Sequence, residues 1–443
     1  MSNSLDKEVN AGFLLKFSLP TMLSMLIMST FGIVDGVFVS RLIDDMALAA
    51  VNLSVPFLTF ALAIGFMLGV GGNALTAKKI GEGDLEEARR IFSLISLVSF
   101  GVSVVMSSFG LFFPDLLLEI LGADAFMAPF VMDYIMPVIW FLPIIVMSVI
   151  FQQFLMTEGK AHISTIAFLI GGGVWVFLNW FLIGEQGLGL QGAAIATGVG
   201  YSISAAVGFV FFLFNKKGKL YFVRPKFSLP VLGQSSINGS SEFVTMMSVS
   251  VLSTFMNNIL MDVEGPLAVA AVGISFAAMG ILSSLFIGYA SGIMPIISFN
   301  YGKEDSQRLK ALFKNSVFIV GGLALVTTVI AWFVAPLLVM IYVPRGSQVY
   351  YMAVEAFRII ALGFVFMGFS SFGSMMFTGL NNGLVSSVIS FCRTLLFAVI
   401  ALMVLPEMFG LTGAYFAIPV AEVLGLVVTA GLLIALRKKY QYV

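Results

Sequence analysis

Residues 31–56, FGIVDGVFVSRLIDDMALAAVNLSVP, contain the feature around which the fold and the function of this chain are organised. The stretch begins inside an apolar segment that carries one carboxylate, Asp35, then passes through a short polar loop into a second apolar segment. A carboxylate at the middle of a membrane helix costs roughly 2.5–3.5 kcal/mol on insertion scales. Such a residue is rare unless it faces protein or water, so it marks a candidate functional site.

The composition of the whole chain indicates an integral membrane protein. Of its 443 residues, 59% are hydrophobic and 10% are charged, and the mean hydropathy is +1.05. A soluble domain is about 25% charged, so this chain has too few charges to cover a water-facing surface. The first apolar stretch, about residues 13–39, is longer than the ~7–15-residue core of a signal peptide and is expected to remain as the first span.

Several functional classes are excluded by what the sequence lacks. A single cysteine, Cys392, and a single histidine, His162, exclude an intrachain disulfide and leave no cysteine or histidine set for a metal site. Lys plus Arg and Asp plus Glu each number 23, with no basic stripe that would suggest nucleic acid. There is no phosphate-binding loop and no soluble domain large enough for a nucleotide, so we expect no enzyme activity and no cofactor.

Twelve apolar runs are long enough to cross a bilayer core of ~30 Å, which takes about 20 helical residues. Their length favours helices over the ~10-residue alternating segments of a membrane barrel. The sequence therefore predicts an all-α membrane protein with twelve spans. The predicted spans are 13–39, 47–76, 91–113, 126–156, 162–183, 190–214, 236–261, 267–298, 312–341, 350–378, 384–405 and 411–436.

The distribution of Lys and Arg predicts the orientation. With the N-terminus placed inside, the cytoplasmic segments hold 19 of the 23 basic residues, and the outer loops hold only Arg41 and Arg345. Because basic residues accumulate on the cytoplasmic side, both termini are predicted to be cytoplasmic. We expect the protein in the plasma (inner) membrane.

The two halves of the chain repeat at a step of 221 residues, most clearly where GEGD (81–84) matches GKED (302–305). Six spans return the chain to the same side, so the halves are expected to be related by an axis along the membrane normal, with a cavity between two bundles. That layout is typical of transporters. The predicted lobes are residues 1–214 and 236–443, joined by a cytoplasmic linker at 215–235.

Asp35 has three interpretations. Burial favours the protonated form of a carboxylate, so Asp35 could bind and release protons and couple transport to a proton gradient. It could instead be a ligand for Na⁺, a hard cation that prefers oxygen. The third interpretation is an acid near the helix end that reaches the lipid headgroups. The residues by themselves do not separate these three roles.

The second half offers different groups. Asn257 and Asn258 fall where the repeat places Asp35, so ion coupling is predicted to be asymmetric. Glu242 opens the seventh span and either lines the cavity or is a first-turn acid favoured by the helix dipole. Pro20 interrupts the first apolar run and is expected to bend the helix that carries Asp35.

Together these features resemble the multidrug and toxic compound extrusion (MATE) family of secondary transporters. The resemblance covers essentially the whole chain and is carried by residues 34–56 (VDGVFVSRLIDDMALAAVNLSVP), 77–90 (AKKIGEGDLEEARR), 156–164 (MTEGKAHIS) and 187–197 (GLGLQGAAIAT). It implies two six-helix lobes around a V-shaped cavity. It also implies a monomer that exports small cationic or amphipathic compounds in exchange for H⁺ or Na⁺, with Asp35 in cation coupling.

One departure from the family pattern bears on the coupling ion. Many relatives have an aspartate and a proline in the fifth span, with an asparagine four residues earlier. This chain has Asn179 there, with Trp175 four residues earlier. Thr197 still fits the family's sixth-span hydroxyl, and Gln152 falls near a fourth-span amide. A site with one carboxylate binds Na⁺ less readily than a site with two, so the resemblance favours H⁺ over Na⁺ at Asp35.

The alternative function is a flippase for lipid-linked oligosaccharide or polysaccharide. Such flippases tend to carry cationic residues that meet a pyrophosphate. Here only Arg358 and Arg393 are intramembrane bases, and a local ion pair between Glu355 and Arg358 is the favoured interpretation of their spacing. Glu422 is a candidate partner for Arg393. A third interpretation, a scaffold or receptor without transport, is disfavoured by the two-lobe repeat and by the carboxylate in the first span.

Overall fold

The computed structural model describes residues 4–43 and 45–443, without the side chains at positions 4, 32, 33, 35, 37, 40 and 45. Every regular element in that part of the chain is helical, as the apolar runs predict. Fourteen α-helices are accompanied by a short 3₁₀ turn (Ser4–Asp6) and by two π-helical segments (Trp180–Glu185 and Cys392–Leu396).

The helices follow the predicted spans in order, and most extend beyond them by several residues. They are α1 (Ala11–Leu42), α2 (Asp45–Gly81), α3 (Leu85–Phe112), α4 (Pro114–Leu121), α5 (Ala128–Thr157), α6 (Ala161–Asn179), α7 (Gly189–Phe214), α8 (Leu229–Val263), α9 (Pro266–Gly302), α10 (Ser306–Met340), α11 (Gln348–Ala361), α12 (Phe364–Gly379), α13 (Gly383–Phe391) and α14 (Phe397–Tyr440).

Within the described residues, ten helical segments are long and apolar enough to cross a membrane. The pair α11 and α12, bent by 49°, provides an eleventh span. The segment from Gly383 to Tyr440 contains two spans, because Gly410 has φ 58° and ψ −140° and interrupts α14. The predicted twelve-span, all-α fold is therefore confirmed.

The repeated polar loops fold alike. In GEGD, the Asp84 carboxylate accepts a 3.0 Å hydrogen bond from the Glu87 amide and caps α3. In GKED, Asp305 accepts from the Arg308 amide at 3.0 Å and caps α10. Such caps satisfy backbone N–H groups that a helix start leaves unpaired, so the same sequence spacing produces the same turn in both halves.

The chain divides into two compact units, and two helices contribute to both. One unit, called the N-terminal unit here, contains residues 27–239; the other, the C-terminal unit, contains residues 1–26 and 240–443. Helix α1 therefore begins in the C-terminal unit and continues in the N-terminal unit. Helix α8 does the reverse.

Glycines allow these first helical turns to pack closely. In the C-terminal unit, a Cβ added at Gly288 would lie 2.5 Å from the Met22 Cα, and one at Gly292 would lie 3.1 Å from the Ser18 Cα. In the N-terminal unit, a Cβ added at Gly71 would lie 2.7 Å from the backbone nitrogen of Gly239 in α8. Small residues let helix backbones approach in a bilayer, and here they hold α1 on α9 and α8 on α2.

The segment between the halves is fixed to the N-terminal unit. Arg89 Nε donates a 2.8 Å hydrogen bond to the Lys219 carbonyl, and Ser93 Oγ accepts one from the Val223 amide at 3.0 Å. The Phe222 ring packs 5.1 Å from the Phe92 ring between centroids. Since α8 begins at Leu229, only residues 215–228 lie between the helices of the two halves.

A glycine triplet in α6 shows how local this packing requirement is. A Cβ added at Gly171 would lie 2.5 Å from the Gly200 carbonyl oxygen on α7, whereas one added at Gly173 would have no neighbour within 4 Å. Gly171 is buried and Gly173 is exposed. Gly171 therefore allows the backbones of α6 and α7 to touch, whereas Gly173 takes part in no such contact.

We expect Gly171→Ala to lower the free energy of unfolding by about 1–3 kcal/mol, because the added methyl group would push α6 away from α7. The matched variant Gly173→Ala should be neutral or stabilise by up to about 1 kcal/mol, because alanine favours a helix. Tryptophan fluorescence during unfolding of the purified protein in detergent measures both. Equal effects of the two substitutions would contradict the proposed α6–α7 contact.

Candidate functional site

An ion pair is buried inside the C-terminal unit. Arg393 Nη1 lies 3.4 Å from Glu422 Oε1, and the two side chains are 8% and 7% exposed. A single charge inside a membrane protein is costly unless it is paired, so each of these residues accounts for the presence of the other. The candidate pairing of Arg393 with Glu422 that the sequence suggested is confirmed.

Two local features place Arg393 against α14. Residues Cys392–Leu396 form a π-helical turn, a rare conformation that often occurs at functional sites. Gly425, three residues after Glu422, leaves space for the arginine stem, because a Cβ added there would lie 2.8 Å from the Arg393 Cγ.

The pair retains polar atoms that can bind a further group. Arg393 Nη1 also donates a 2.9 Å hydrogen bond to the Ser371 hydroxyl of α12. Among the described residues, Arg393 Nε and Glu422 Oε2 are buried without a hydrogen-bond partner. Unpaired buried polar atoms are destabilising, so a ligand that supplied an acceptor or a donor here would be stabilised.

A cavity of about 120 Å³ lies beside this pair, entirely within the C-terminal unit. Its walls are mainly apolar, with a few hydroxyl groups and the ion pair, the lining typical of small-molecule sites, and its volume is below their usual range of roughly 300–1,000 Å³. On α8, Glu242 lies one helical turn before the lining residue Thr245. The lining residues are Thr245, Val249, Leu252, Met279, Ser283, Ile287, Met367, Ser371, Arg393, Thr394, Ala398, Ile418, Ala421 and Glu422.

Buried hydroxyl groups connect α12 to α13 in the same unit. Ser386 Oγ lies 2.7 Å from Thr378 Oγ1 and 2.9 Å from Ser374 Oγ, and Ser374 Oγ lies 3.1 Å from Ser390 Oγ. Hydrogen bonds of this kind join helices in a bilayer, where water does not compete. The sequence analysis missed this cluster, although Ser374 and Thr378 are spaced by one helical turn.

In the N-terminal unit, Trp175 brings two of the predicted residues together. The indole Nε1 donates a 3.3 Å hydrogen bond to Thr197 Oγ1, and Asn179 Nδ2 donates one of 3.3 Å to the Trp175 carbonyl. All three side chains are buried, and Asn179 Oδ1 has no hydrogen-bond partner among the described residues. The Phe31 ring of α1 packs on this group, 4.8 Å from the Trp175 ring between centroids.

The two other N-terminal candidates are Gln152 and Asp35. Gln152 is buried in α5, and neither atom of its amide has a hydrogen-bond partner in the described part of the chain. Asp35 is on α1, but its side chain lies outside the described residues. In the rest of the described chain, no three His, Cys, Asp or Glu side chains are close enough together to hold a metal ion.

The C-terminal candidates and Pro20 have different surroundings. Glu242 is partly buried in α8, whereas Asn257 and Asn258 are exposed on the same helix and do not line the cavity described above. Pro20 lies within α1, which is assigned as one helix from Ala11 to Leu42. The cavity role of the two asparagines and the bend at Pro20 stay predictions.

The prediction of an ion pair between Glu355 and Arg358 is wrong for the described structure. Arg358 Nε donates a 3.3 Å hydrogen bond to the Trp332 carbonyl, and its guanidinium lies 5.5 Å from the centroid of the Trp332 ring. No ion pair with Glu355 occurs among the described residues. The guanidinium of Arg358 thus contacts the carbonyl and the ring of Trp332 on α10 instead of the Glu355 carboxylate.

Both halves of the chain match a known protein family. A protein-family model described as MatE matches residues 20–181 and 243–403. The "Multidrug export protein MepA" of Staphylococcus aureus (strain MRSA252) is 23% identical over 423 residues, which cover 92% of this chain and 90% of that protein. The protein of the same name from Staphylococcus haemolyticus (strain JCSC1435) is 24% identical over 417 residues, with the same coverage.

A solved structure has the same fold. The one described as "Crystal structure of MATE in complex with MaL6" superposes with a TM-score of 0.92 at 21% identity and covers 99% of this chain and 100% of its own. At that identity the likeness concerns the fold alone.

We expect Arg393→Gln and Glu422→Gln each to lower the free energy of unfolding by about 3–5 kcal/mol, because the remaining charge stays buried without its partner. The double variant should lose less than the sum of the two single losses. Thermal unfolding in detergent measures all three, with Glu355→Gln, an exposed carboxylate on α11, as the control. If the single losses simply add in the double variant, the two side chains do not stabilise each other.

Proposed function

The chain belongs to the MatE family of membrane transporters, and we propose that it exports small organic compounds as a secondary active multidrug antiporter. The proposal is supported by a family match in both halves of the chain and by polar groups buried within both units. No phosphate-binding loop occurs in the sequence, so an ion gradient is the proposed energy source. Alternating access between the lobes is the proposed motion.

The main supporting observation is the cavity beside Arg393 and Glu422. Arg393 and Glu422 neutralise each other, and Glu242, one turn before the lining residue Thr245 on α8, is a further carboxylate that adds a negative charge when ionised. An apolar wall next to a net negative cluster suits an amphipathic cation. The same observation disfavours a flippase, because Arg393, the arginine at this cavity, is already neutralised by Glu422 at 3.4 Å.

We assign ion coupling to Asp35, in the N-terminal unit. Asp35 follows Phe31 by four residues in the sequence, and residues four apart share one face of an α-helix. Phe31 packs on Trp175, which is bonded to Thr197 and, through its carbonyl, to Asn179. Asn179 and Thr197 are therefore the proposed polar neighbours of the coupling carboxylate, with Gln152 as a further amide candidate on α5.

The N-terminal group favours H⁺ over Na⁺. A metal ion needs several oxygen ligands, whereas an indole N–H is only a donor. In this chain Trp175 places such a donor on the Thr197 hydroxyl, and Asn179 supplies an amide in place of a second carboxylate. Protonation of Asp35 is thus the proposed coupling step, and Na⁺ binding at Asp35 is the alternative. We further propose a monomer in the plasma membrane with both termini in the cytoplasm.

We expect Asp35→Asn to abolish efflux driven by a pH gradient, because an amide cannot exchange a proton in this range, while the protein still reaches the membrane. Dye efflux from everted or reconstituted vesicles, with and without an imposed pH gradient, measures the effect. Asp133→Asn serves as the matched control, because Asp133 is an exposed carboxylate on α5 that accepts a 2.9 Å hydrogen bond from Gln191. Gradient-driven efflux by the Asp35 variant would rule out this role, and dependence on Na⁺ instead would favour the alternative ion.

We expect Glu242→Gln to reduce transport of cationic dyes by roughly tenfold, equivalent to about 1.4 kcal/mol of lost charge interaction, and to change transport of neutral compounds little. Initial efflux rates across a concentration series give the ratio for each compound. Glu355→Gln removes a carboxylate outside the cavity and should leave both rates unchanged. An equal loss for cationic and neutral compounds would argue against a charge-recognition role for Glu242.

A further inference from the structure

A basic surface pocket lies between the first turn of α10 and the last turn of α14, within the C-terminal unit. Its volume is about 320 Å³, inside the range of roughly 300–1,000 Å³ that small-molecule sites occupy. It is lined by Ser306, Lys310, Arg437, Lys438, Gln441 and Val443. This site is separate from the groups assigned to transport above, and its proposed role does not depend on them.

The basic residues that line this pocket form no ion pairs in the described structure. Lys310, Arg437 and Lys438 make no ion pair with any described residue. The neighbouring Asp305 lies 3.3 Å from Arg308 and caps α10. The surrounding ion pairs therefore leave three basic side chains available around one concavity.

Asp6, a further acid near the start of α10, is also engaged. Its carboxylate accepts a 2.8 Å hydrogen bond from Lys303 Nζ and pairs with Arg308. The Lys303 hydrogen bond, together with Arg308, holds the pKa of Asp6 below its ordinary value. At neutral pH Asp6 is therefore ionised, and it is paired with Lys303 and Arg308 and not with the bases of the pocket.

The pocket has a fixed wall. Tyr442 is fully buried, its hydroxyl donates a 2.7 Å hydrogen bond to the Leu433 carbonyl, and its ring lies 5.2 Å from the Phe313 ring of α10. The Tyr440 hydroxyl accepts a 2.9 Å hydrogen bond from Asn382 Nδ2. The two tyrosines on either side of Gln441 are thus fixed by contacts to the rest of the unit, and Gln441 itself lines the basic pocket.

Exposed apolar residues continue from the pocket along both helices. Phe318, two turns after Lys310 on α10, is 78% exposed. Ile434, one turn before Lys438 on α14, is 61% exposed, and Val427, two turns earlier on the same face, is 65% exposed. In a membrane protein such surfaces contact acyl chains. The basic pocket therefore lies where the hydrocarbon gives way to the headgroups.

We propose that this pocket binds the phosphate of an anionic phospholipid, with the acyl chains along the exposed faces of α10 and α14. The distribution of Lys and Arg places these helix ends in the cytoplasmic leaflet, where basic pockets attract anionic headgroups. Arg437 offers a planar fork to two phosphate oxygens, and Lys310 and Lys438 add point charges.

The test compares the full-length protein with Lys310→Gln/Arg437→Gln/Lys438→Gln and with a matched control, Lys216→Gln/Lys217→Gln/Arg224→Gln. The control removes the same charge from exposed positions in the segment between the halves. Each protein is purified in mixed micelles of phosphatidylglycerol and phosphatidylcholine, and native mass spectrometry counts the retained lipid. We expect the wild type and the control to retain phosphatidylglycerol preferentially, and the pocket variant to bind it about tenfold more weakly.

Two further arms keep the proposal falsifiable. Arg437→Gln/Lys438→Gln leaves α10 unchanged and should show an intermediate loss, and the elution profile of each variant reports folding. A separate titration with inorganic phosphate distinguishes the sources of the anion. Unchanged lipid retention by the pocket variants, or an equal loss in the control, would overturn the proposal. Displacement of the lipid by millimolar phosphate alone would assign the pocket to a free anion instead.

Discussion

Close approach between helix backbones is the constraint on which this structure depends. Lipid tails are as apolar as leucine, so helices in a bilayer gain little from hydrophobic burial and associate through packing and hydrogen bonds. Gly288 and Gly292 admit the first turns of α1 to the surface of α9, and Gly71 and Gly239 bring α8 onto α2. These contacts tie the start of each half to the unit that the other half builds, and the interior polar groups of both units are positioned on that frame.

Buried polarity is distributed unequally between the units. In the C-terminal unit, Arg393 and Glu422 balance each other and leave one unpaired donor and one unpaired acceptor beside a cavity. In the N-terminal unit, the corresponding interior has an indole, an amide and a hydroxyl arranged around Trp175. The Arg393–Glu422 ion pair can bind a charged ligand while each of its own charges stays paired. The uncharged side chains around Trp175 can surround a carboxylate that gains and loses a proton. The proposed separation of substrate contact from ion coupling is based on this asymmetry.

Much of the fold was predictable from the sequence, because span length and the loop repeat depend on local composition. Arg393 and Glu422 were also predictable as partners, since two intramembrane charges of opposite sign seldom remain apart. The surroundings of Arg358 were not, because Trp332 lies on another helix and its carbonyl has no sequence signature. The same holds for Trp175, whose indole and carbonyl each bind a different predicted residue. Division of α1 and α8 between the units depends on contacts more than 150 residues apart in the chain, which no local pattern encodes.

The exchange of helix ends has a consequence for biosynthesis. Ser18 can contact Gly292 only after more than half of the chain has been made. Until then, the first turns of α1 lie in the bilayer without α9, the helix on which they finally pack. The N-terminal unit is likewise incomplete until the first turns of α8 emerge from the ribosome. If the chain were cut within residues 215–228, neither fragment would contain all the residues of one unit. Each lobe would need the other fragment to complete it, even though most of its residues come from a single half of the gene.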